Sequence, residues 1–112
     1  MLKVSLLFIV RLMINFFSNK KTLTPEYRVW ASMKQRTGNL NHKDYLNYGG
    51  RGIKVCDRWL HFDEFIKDMG KRPSPKHSLD RIDNNGNYEP SNCRWATITE
   101  QLKNRRNTIK LS

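Results

Sequence analysis

The sequence predicts an α+β fold in one small domain. Two segments in the first half carry apolar residues at helical spacing, and the last third has the pattern of a β-hairpin followed by a helix. A chain of 112 residues, 38% of them hydrophobic, can build one modest core. We therefore expect a single domain over residues 22–112, in which two helices and a short strand precede a hairpin–helix unit at about residues 77–106.

The first 21 residues are expected to lie outside this domain or to pack on it as a helix. Residues 2–17 are strongly apolar, but Lys3, Arg11 and Asn15 interrupt them. A membrane-spanning helix needs about 20 mostly apolar residues, so this stretch is short and carries a charge near its centre. An apolar leader or a packing helix is the preferred interpretation, and membrane contact is the weaker one.

The first helix of the domain is predicted to begin at Thr24 and Pro25. Threonine is a common N-cap residue, and proline is favoured at the first helical position. The run at residues 37–41 contains glycine and asparagine, which favour a helix end. Three apolar residues at helical spacing, expected in the core, are Tyr27, Trp30 and Met33.

The middle of the chain contains the string HKDYLNYGGRGIKVCDRW at residues 42–59. Three glycines surround Arg51, which indicates backbone turns that a Cβ atom would obstruct. Residues 53–56 alternate between apolar and polar side chains and predict a short strand. A second amphipathic helix is then expected from Phe62 to Met69, ending at Gly70.

The last third has the pattern of a hairpin and a helix. Residues 78–83 predict a strand, and the asparagine- and glycine-rich run at residues 84–87 predicts a turn. Residues 93–97 then predict the returning strand. We expect Thr99 to cap the final helix.

The charge of the chain favours a nucleic-acid partner. Its 21 Lys and Arg residues against 10 Asp and Glu residues give a formal net charge of +11. Such a charge attracts polyanions, of which phosphate backbones are the most common. The two cysteines, Cys56 and Cys93, are far apart in sequence. No structural zinc is therefore expected, because such sites usually use closely spaced Cys and His pairs.

The segment SLDRIDNNGNYEPSNCRWATITEQLKNRR resembles the HNH, or ββα-metal, nuclease motif. Members of that family have Asp-His at the end of the first strand, an Asn within the hairpin, and a further Asn or His on the following helix. The corresponding positions here are Asp80, Arg81, Asn92 and Gln101. The Trp-x-Thr pattern at residues 95–97 and the upstream YGGRGIKVCDRW resemble small phage and mobile-element members. The resemblance extends over residues 27–106.

This resemblance implies a DNA endonuclease that hydrolyses phosphodiester bonds of double-stranded DNA with a single Mg²⁺ or Mn²⁺ ion. Asp80 and Gln101 would be the metal ligands, since both offer the oxygen atoms that these cations prefer. No other small-molecule cofactor is expected, and the place of action would be intracellular phage or bacterial DNA in the cytoplasm. The alternative is a DNA-binding protein with a degenerate HNH site that does not cleave.

Arg81 stands where the family usually has histidine as the general base. Arginine stays protonated in proteins and cannot accept a proton from water. Arg81 could instead clamp a phosphate, or the protein could bind DNA without cutting it. Four other residues are candidates for the base: His77, His42, Tyr48 and Tyr88.

Further residues are expected to position the site or to contact DNA. The Asn92 amide is predicted to bridge the hairpin loop through backbone hydrogen bonds, and thereby to fix the direction of Asp80. Basic and amide side chains in the middle segment, the second strand and the last helix are the candidates for DNA contact. They are Arg51, Lys54, Arg94, Lys103, Asn104, Arg105 and Arg106.

Overall fold

The computed structural model describes residues 24–111, with side chains described for residues 24–105. Over this range the chain has the predicted α+β composition. Its helices and strands are, in order, α1 (Pro25–Gly38), α2 (Phe62–Met69), β1 (Ser78–Arg81), β2 (Cys93–Ala96) and α3 (Ile98–Leu111). Short 3-10 helices lie at Tyr45–Asn47, Gly49–Arg51, Asp57–Leu60 and Pro90–Asn92. The prediction for residues 1–21, a leader or packing helix, lies outside the described residues.

Helix α1 begins as the sequence predicts. The Thr24 hydroxyl accepts a hydrogen bond of 3.1 Å from the backbone N–H of Tyr27, and Pro25 occupies the first turn. Because this N–H has no partner within the helix, the cap stabilises the helix start. Trp30 and Met33 are buried on the inner face, which confirms their predicted place in the core.

The core lies between α1, α2 and one face of the hairpin. Trp59, Phe65 and Met33 are its largest fully buried side chains. The Trp59 and Phe65 rings meet edge to face, with centroids 4.9 Å apart. The indole N–H of Trp30 donates to the Trp59 carbonyl at 2.7 Å, so this buried polar atom is satisfied.

Helix α2 ends at Gly70, as predicted, with a φ angle of 67° at that glycine. One carboxylate on α2 ties the helix to the preceding 3-10 helix. Oδ2 of Asp68 accepts hydrogen bonds from Nε of Arg58 at 2.7 Å and from Nε1 of Trp59 at 2.8 Å. These bonds, first the one from Arg58, lower the pKa of Asp68 to about 2.

The predicted strand at residues 53–56 is wrong in extent. Only Val55 forms a β-bridge, a parallel one with Tyr88, flanked by backbone bonds from Cys56 to Tyr88 and from Tyr88 to Lys54, each 2.9 Å long. The segment follows Gly52, which has a left-handed conformation with φ of 85°. A 3-10 helix begins at Asp57, two residues after the bridge. Too few extended residues remain between these turns for a longer ladder.

Strands β1 and β2 pair antiparallel, with Ser78 opposite Ala96 and Asp80 opposite Arg94. Residues directly opposite one another point to the same face of a sheet, and neighbours along a strand point to opposite faces. Asp80 and Arg94 therefore share one face with Ser78 and Ala96. The other face contributes three side chains to the core or its margin, namely Leu79, Cys93 and Trp95.

The cap of α3 differs from the prediction. Thr97, and not Thr99, caps the helix, because its hydroxyl accepts from the Glu100 N–H at 3.3 Å while Oε1 of Glu100 accepts from the Thr97 N–H at 3.0 Å. This reciprocal arrangement is a capping box, and it needs an acidic residue three positions after the threonine. Glu100 stands at that position relative to Thr97. Within the described residues, no helix has the length and apolar character needed to cross a bilayer.

Candidate active site

Helix α3 crosses the hairpin face that carries Asp80. Nε2 of Gln101 donates to the Ser78 hydroxyl at 2.7 Å and to the Ala96 carbonyl at 3.1 Å. One helical turn later, Nδ2 of Asn104 donates to the Ile82 carbonyl at 2.9 Å. Asp80 lies between Ser78 and Ile82 along the strand, so its side chain faces the helix between these two anchoring points.

Asp80 and Arg94 form an ion pair on this face. Nε of Arg94 lies 3.1 Å from Oδ2 of Asp80, and the Asp80 side chain is only 10% exposed. The Arg94 side chain is 36% exposed, and its Nη2 also donates to the Glu100 carbonyl at 3.4 Å. A nearly buried carboxylate needs a cationic or hydrogen-bonding partner, and Arg94 supplies both.

The oxygen atoms of Asp80 and Gln101 fit a hard divalent cation. The Ala96 carbonyl can only accept, so the Gln101 amide must direct its nitrogen there, which turns Oε1 away from this bond. Among the described residues, neither Oε1 of Gln101 nor Oδ1 of Asp80 has a hydrogen-bond donor. Mg²⁺ commonly takes one or two such protein ligands and keeps several waters. No group of three or more His, Cys, Asp or Glu side chains converges in the described part of the chain.

A small cleft of about 330 Å³ opens beside the ion pair. Its lining residues are Arg94, Glu100, Lys103 and Asn104. The pKa of Glu100 is lowered, first by the backbone and side-chain hydrogen bonds from Thr97, and further by the charges of Arg94 and His77. The cleft therefore combines an ionised carboxylate with two basic side chains from β2 and α3.

His77 is the sequence neighbour of Ser78, whose hydroxyl accepts a hydrogen bond from Gln101 of α3. It precedes β1, so strand alternation does not set its direction; its Nδ1 instead lies 2.8 Å from the Ser74 hydroxyl. Its charge contributes to the lowered pKa of Glu100 in the first turn of α3. Of the four candidate bases, His77 is therefore the nearest to Asp80 in sequence and the one that adjoins a residue bound by α3.

Arg81 points to the opposite face of the hairpin and is 8% exposed. Its Nη1 donates to the carbonyls of Asn84 and Gly86, each at 2.8 Å. Its guanidinium carbon lies 5.3 Å from the centroid of the Tyr48 ring and 5.1 Å from that of Tyr88. This placement favours a structural role over the phosphate clamp, because the guanidinium is used to hold the hairpin loop against the two rings.

Tyr48 and Tyr88 lie with Arg81, away from Asp80. Their rings stack with centroids 6.4 Å apart, and Tyr88 is 3% exposed. His42 is occupied locally, since its Nδ1 accepts from the Asp44 N–H at 3.1 Å. The structure therefore packs Tyr48 and Tyr88 against Arg81 and engages His42 within its own turn.

Asn92 bridges the hairpin loop in the manner expected for it. Its Oδ1 accepts from the Asp83 N–H at 2.9 Å, and its Nδ2 donates to the carbonyls of Asp83 at 3.1 Å and Asn87 at 2.9 Å. A Cβ atom at position 86 would lie 2.7 Å from this Nδ2, so a side chain there would displace the Asn92 amide from these bonds. Asn92 thus fixes the loop that directly follows β1.

Of the remaining side chains predicted to contact DNA, Arg51 is held by hydrogen bonds within the protein, and the others that are described are exposed. Arg51 is exposed but holds the loop, donating from Nη2 to Oδ1 of Asn85 at 2.6 Å and from Nη1 to the Asn47 carbonyl at 3.2 Å. Lys54, Lys103 and Arg105 are exposed. The side chain of Arg106 lies outside those described.

Comparisons with family models, with curated proteins and with solved structures give no match.

The sequence interpretation did not single out two basic residues of α1, Arg28 and Arg36, which line a second cleft together with Tyr48. The spacing of these residues along the helix was the sequence feature that could have identified them. Residues 28, 32 and 36 are four apart and so share one face of a helix, but the sequence does not indicate what that face meets.

Proposed function

We propose that this chain is an HNH-type endonuclease that hydrolyses phosphodiester bonds in intracellular double-stranded DNA, using one Mg²⁺ or Mn²⁺ ion. The observation that carries the proposal is the placement of Asp80 beneath α3, between the two residues that Gln101 and Asn104 bind. This brings a carboxylate and an amide oxygen to facing elements beside a cleft with basic side chains. The hairpin and α3 would then be the ββα-metal unit of that family.

Asp80 and Gln101 would hold the cation through oxygen atoms. When bound, such a cation neutralises charge that develops on the phosphate and on the leaving oxygen. In the overall reaction, water adds to phosphorus, the bond from phosphorus to the leaving sugar oxygen breaks, and that oxygen gains a proton. Asn92 contributes by fixing the loop after β1, because a displaced ligand lowers the rate steeply.

We assign His77 as the residue that accepts the proton from water. Histidine is the side chain best suited to take up and release a proton near neutral pH. Its Nδ1 lies against the Ser74 hydroxyl, which fixes the direction of the ring. Arg81 takes no part in this step, since it remains charged and is buried on the other face.

DNA affinity would come mainly from basic side chains that contact phosphates. The formal charge of +11 supports a backbone-dominated interface. Lys103 and Arg105 are exposed on α3, and Arg94 lines the cleft beside Asp80. These positions would place the DNA backbone along α3 and over the candidate site.

A second function is favoured by one observation: the ion pair between Asp80 and Arg94. Arg94 already neutralises the Asp80 carboxylate without a metal ion, which fits a site that no longer cleaves. Together with arginine in place of the family histidine, this favours a DNA-binding protein with a non-cleaving HNH site.

Nicking of supercoiled plasmid separates the two functions. The full chain is incubated with plasmid in Mg²⁺, in Mn²⁺ and in EDTA, and DNA binding is measured in parallel. An endonuclease converts the plasmid to the open circular form only with the cations. DNA binding without nicking under all three conditions would support the non-cleaving alternative.

A further inference from the structure

A second basic cleft lies between α1 and the start of β1. It has a volume of about 390 Å³ and is separate from the cleft beside Arg94. The described residues that line it are Arg28, Val29, Ser32, Arg36, Tyr48, Ser78 and Leu79. None of them carries a carboxylate, whereas two are arginines and three have hydroxyl groups. The lining is therefore cationic and rich in hydrogen-bond donors.

Arg36, which lines the cleft, and Arg81, which does not, pack against the same two tyrosine rings. The Arg36 guanidinium lies 5.0 Å from the Tyr48 ring and donates from Nη2 to the Tyr88 hydroxyl at 3.2 Å. Arg81 packs against the same two rings. Aromatic faces stabilise guanidinium groups, but neither arginine forms an ion pair with a described acidic side chain. The local charge therefore remains uncompensated by the described residues.

Arg36 also has an unused donor. Its Nε is shielded from solvent and has no hydrogen-bond acceptor in the described part of the chain. A buried donor without an acceptor has lost its bonds to water without replacing them, which destabilises the protein. An anionic oxygen bound in the cleft would supply an acceptor and would also offset the charge of Arg28 and Arg36, which line it.

We infer that this cleft binds a phosphate of the DNA backbone close to the bond that is cleaved at Asp80. The inference rests on the proposed function, which it extends by assigning a second phosphate subsite. Arginine forks match phosphate oxygens in charge and geometry, and the hydroxyls of Ser32 and Ser78 add neutral donors.

The position of Ser78 links the cleft to the candidate active site. Ser78 lines the cleft, and its hydroxyl accepts the Gln101 amide hydrogen bond at 2.7 Å. It precedes Asp80 by two strand residues, a distance of about 7 Å. Measured along the axis of a DNA duplex, this is the rise of about two nucleotides, at about 3.4 Å each. One backbone can therefore occupy both places.

The test measures how DNA affinity depends on salt. Arg28 is exposed, so Arg28→Ala should leave folding intact, and Lys67→Ala removes one exposed charge from α2 as the matched control. Each lost phosphate contact lowers the slope of log Kd against log salt by about 0.9. With a labelled DNA duplex and no divalent cation, we expect this reduction for Arg28→Ala and an unchanged slope for Lys67→Ala.

A second variant and a phosphate-binding measurement complete the test. Arg36→Lys keeps the charge but loses the planar fork and the bond to the Tyr88 hydroxyl. We expect weaker DNA binding, and thermal unfolding measured in parallel shows that the variant is folded at the assay temperature. Binding of inorganic phosphate alone is measured by calorimetry. If Arg28→Ala weakens phosphate binding but leaves the DNA slope unchanged, the cleft takes free phosphate and the inference is overturned.

The outcome for the cleft is distinguishable from that for the proposed function. If Arg28→Ala reduces the salt slope but the wild-type protein does not nick plasmid, the phosphate site in the cleft is supported and the endonuclease activity is contradicted. An unchanged slope for Arg28→Ala, in a protein that nicks plasmid, overturns the cleft alone.

Discussion

Asp80 and Arg94 face each other across the hairpin, with Nε of Arg94 3.1 Å from Oδ2 of Asp80. The antiparallel register sets this relationship, because it places the two residues directly opposite one another on the face that α3 covers. Arg94 therefore holds the carboxylate in place and also competes with any other cation for it.

Replacing Arg94 should change how strongly nicking depends on Mg²⁺. In Arg94→Ala the competing charge is gone, so we expect half-maximal nicking at a Mg²⁺ concentration lower by about three- to tenfold. DNA binding should weaken at the same time, because one phosphate contact is lost. A Mg²⁺ titration of plasmid nicking measures the first effect. A higher Mg²⁺ requirement in this variant would show that Arg94 supports cation binding.

Replacing His77 should remove the proton acceptor. We expect His77→Ala to lower single-turnover nicking by about a hundredfold or more, the usual contribution of a general base. The pH profile should also flatten between about pH 5 and 8, where histidines titrate. His42→Ala is the matched control and should cleave normally. Equal, unimpaired cleavage by both variants at every pH would exclude His77 as the base.

Replacing Arg81 should reduce stability more than it alters chemistry. Arg81→Ala leaves the carbonyls of Asn84 and Gly86 without their donor and removes the contacts with the two tyrosine rings. We expect a loss of about 2–4 kcal/mol in the free energy of unfolding. Urea denaturation measures it. Arg81→His should not raise the nicking rate, since position 81 points away from Asp80, and a raised rate would contradict this assignment.

The local elements of the fold could be predicted from the sequence, because their signals lie within a few residues. Thr24 and Pro25 mark the start of α1, and Gly70 marks the end of α2. The capping box was missed because Thr97 and Thr99 both precede a helix pattern. Only the position of Glu100, three residues after Thr97, distinguishes them.

The direction of the site residues could not be predicted in the same way. Whether Arg81 accompanies Asp80 or opposes it depends on the end of β1 and on two rings, one of them 33 residues away in sequence. The single bridge between Val55 and Tyr88 and the cleft beside Arg28 also depend on contacts between distant segments. Periodicity reports which residues share a face, but not what that face meets.

Asp68 should make stability depend on pH in acid. The pKa of Asp68 is about 2 in the folded protein, mainly because Arg58 donates a hydrogen bond to it. The pKa of a free aspartate is about 3.9. The folded state therefore favours the charged form, and this stabilisation is present above about pH 4 and is lost as pH falls towards 2. Asp68→Asn should unfold at lower urea concentration than wild type at pH 7, and the difference should shrink in acid.

Asp57→Asn, an exposed aspartate on the neighbouring 3-10 helix, is the control for this effect. We expect its urea midpoint to follow that of wild type at both pH values. A difference between Asp68→Asn and wild type that stays constant from pH 7 to pH 2 would contradict the assigned hydrogen bonds.

The most direct test of the central claim is plasmid nicking by Asp80→Ala, compared with Asp57→Ala, in Mg²⁺ or Mn²⁺. We expect Asp80→Ala to lose at least about a hundredfold in nicking rate, more than substitution of a residue that only supports a metal ligand. Its affinity for DNA should remain nearly that of wild type, and Asp57→Ala should cleave normally. Gln101→Ala should fall between them, because water can replace a neutral ligand. Metal-dependent nicking by Asp80→Ala at the wild-type rate would contradict the account.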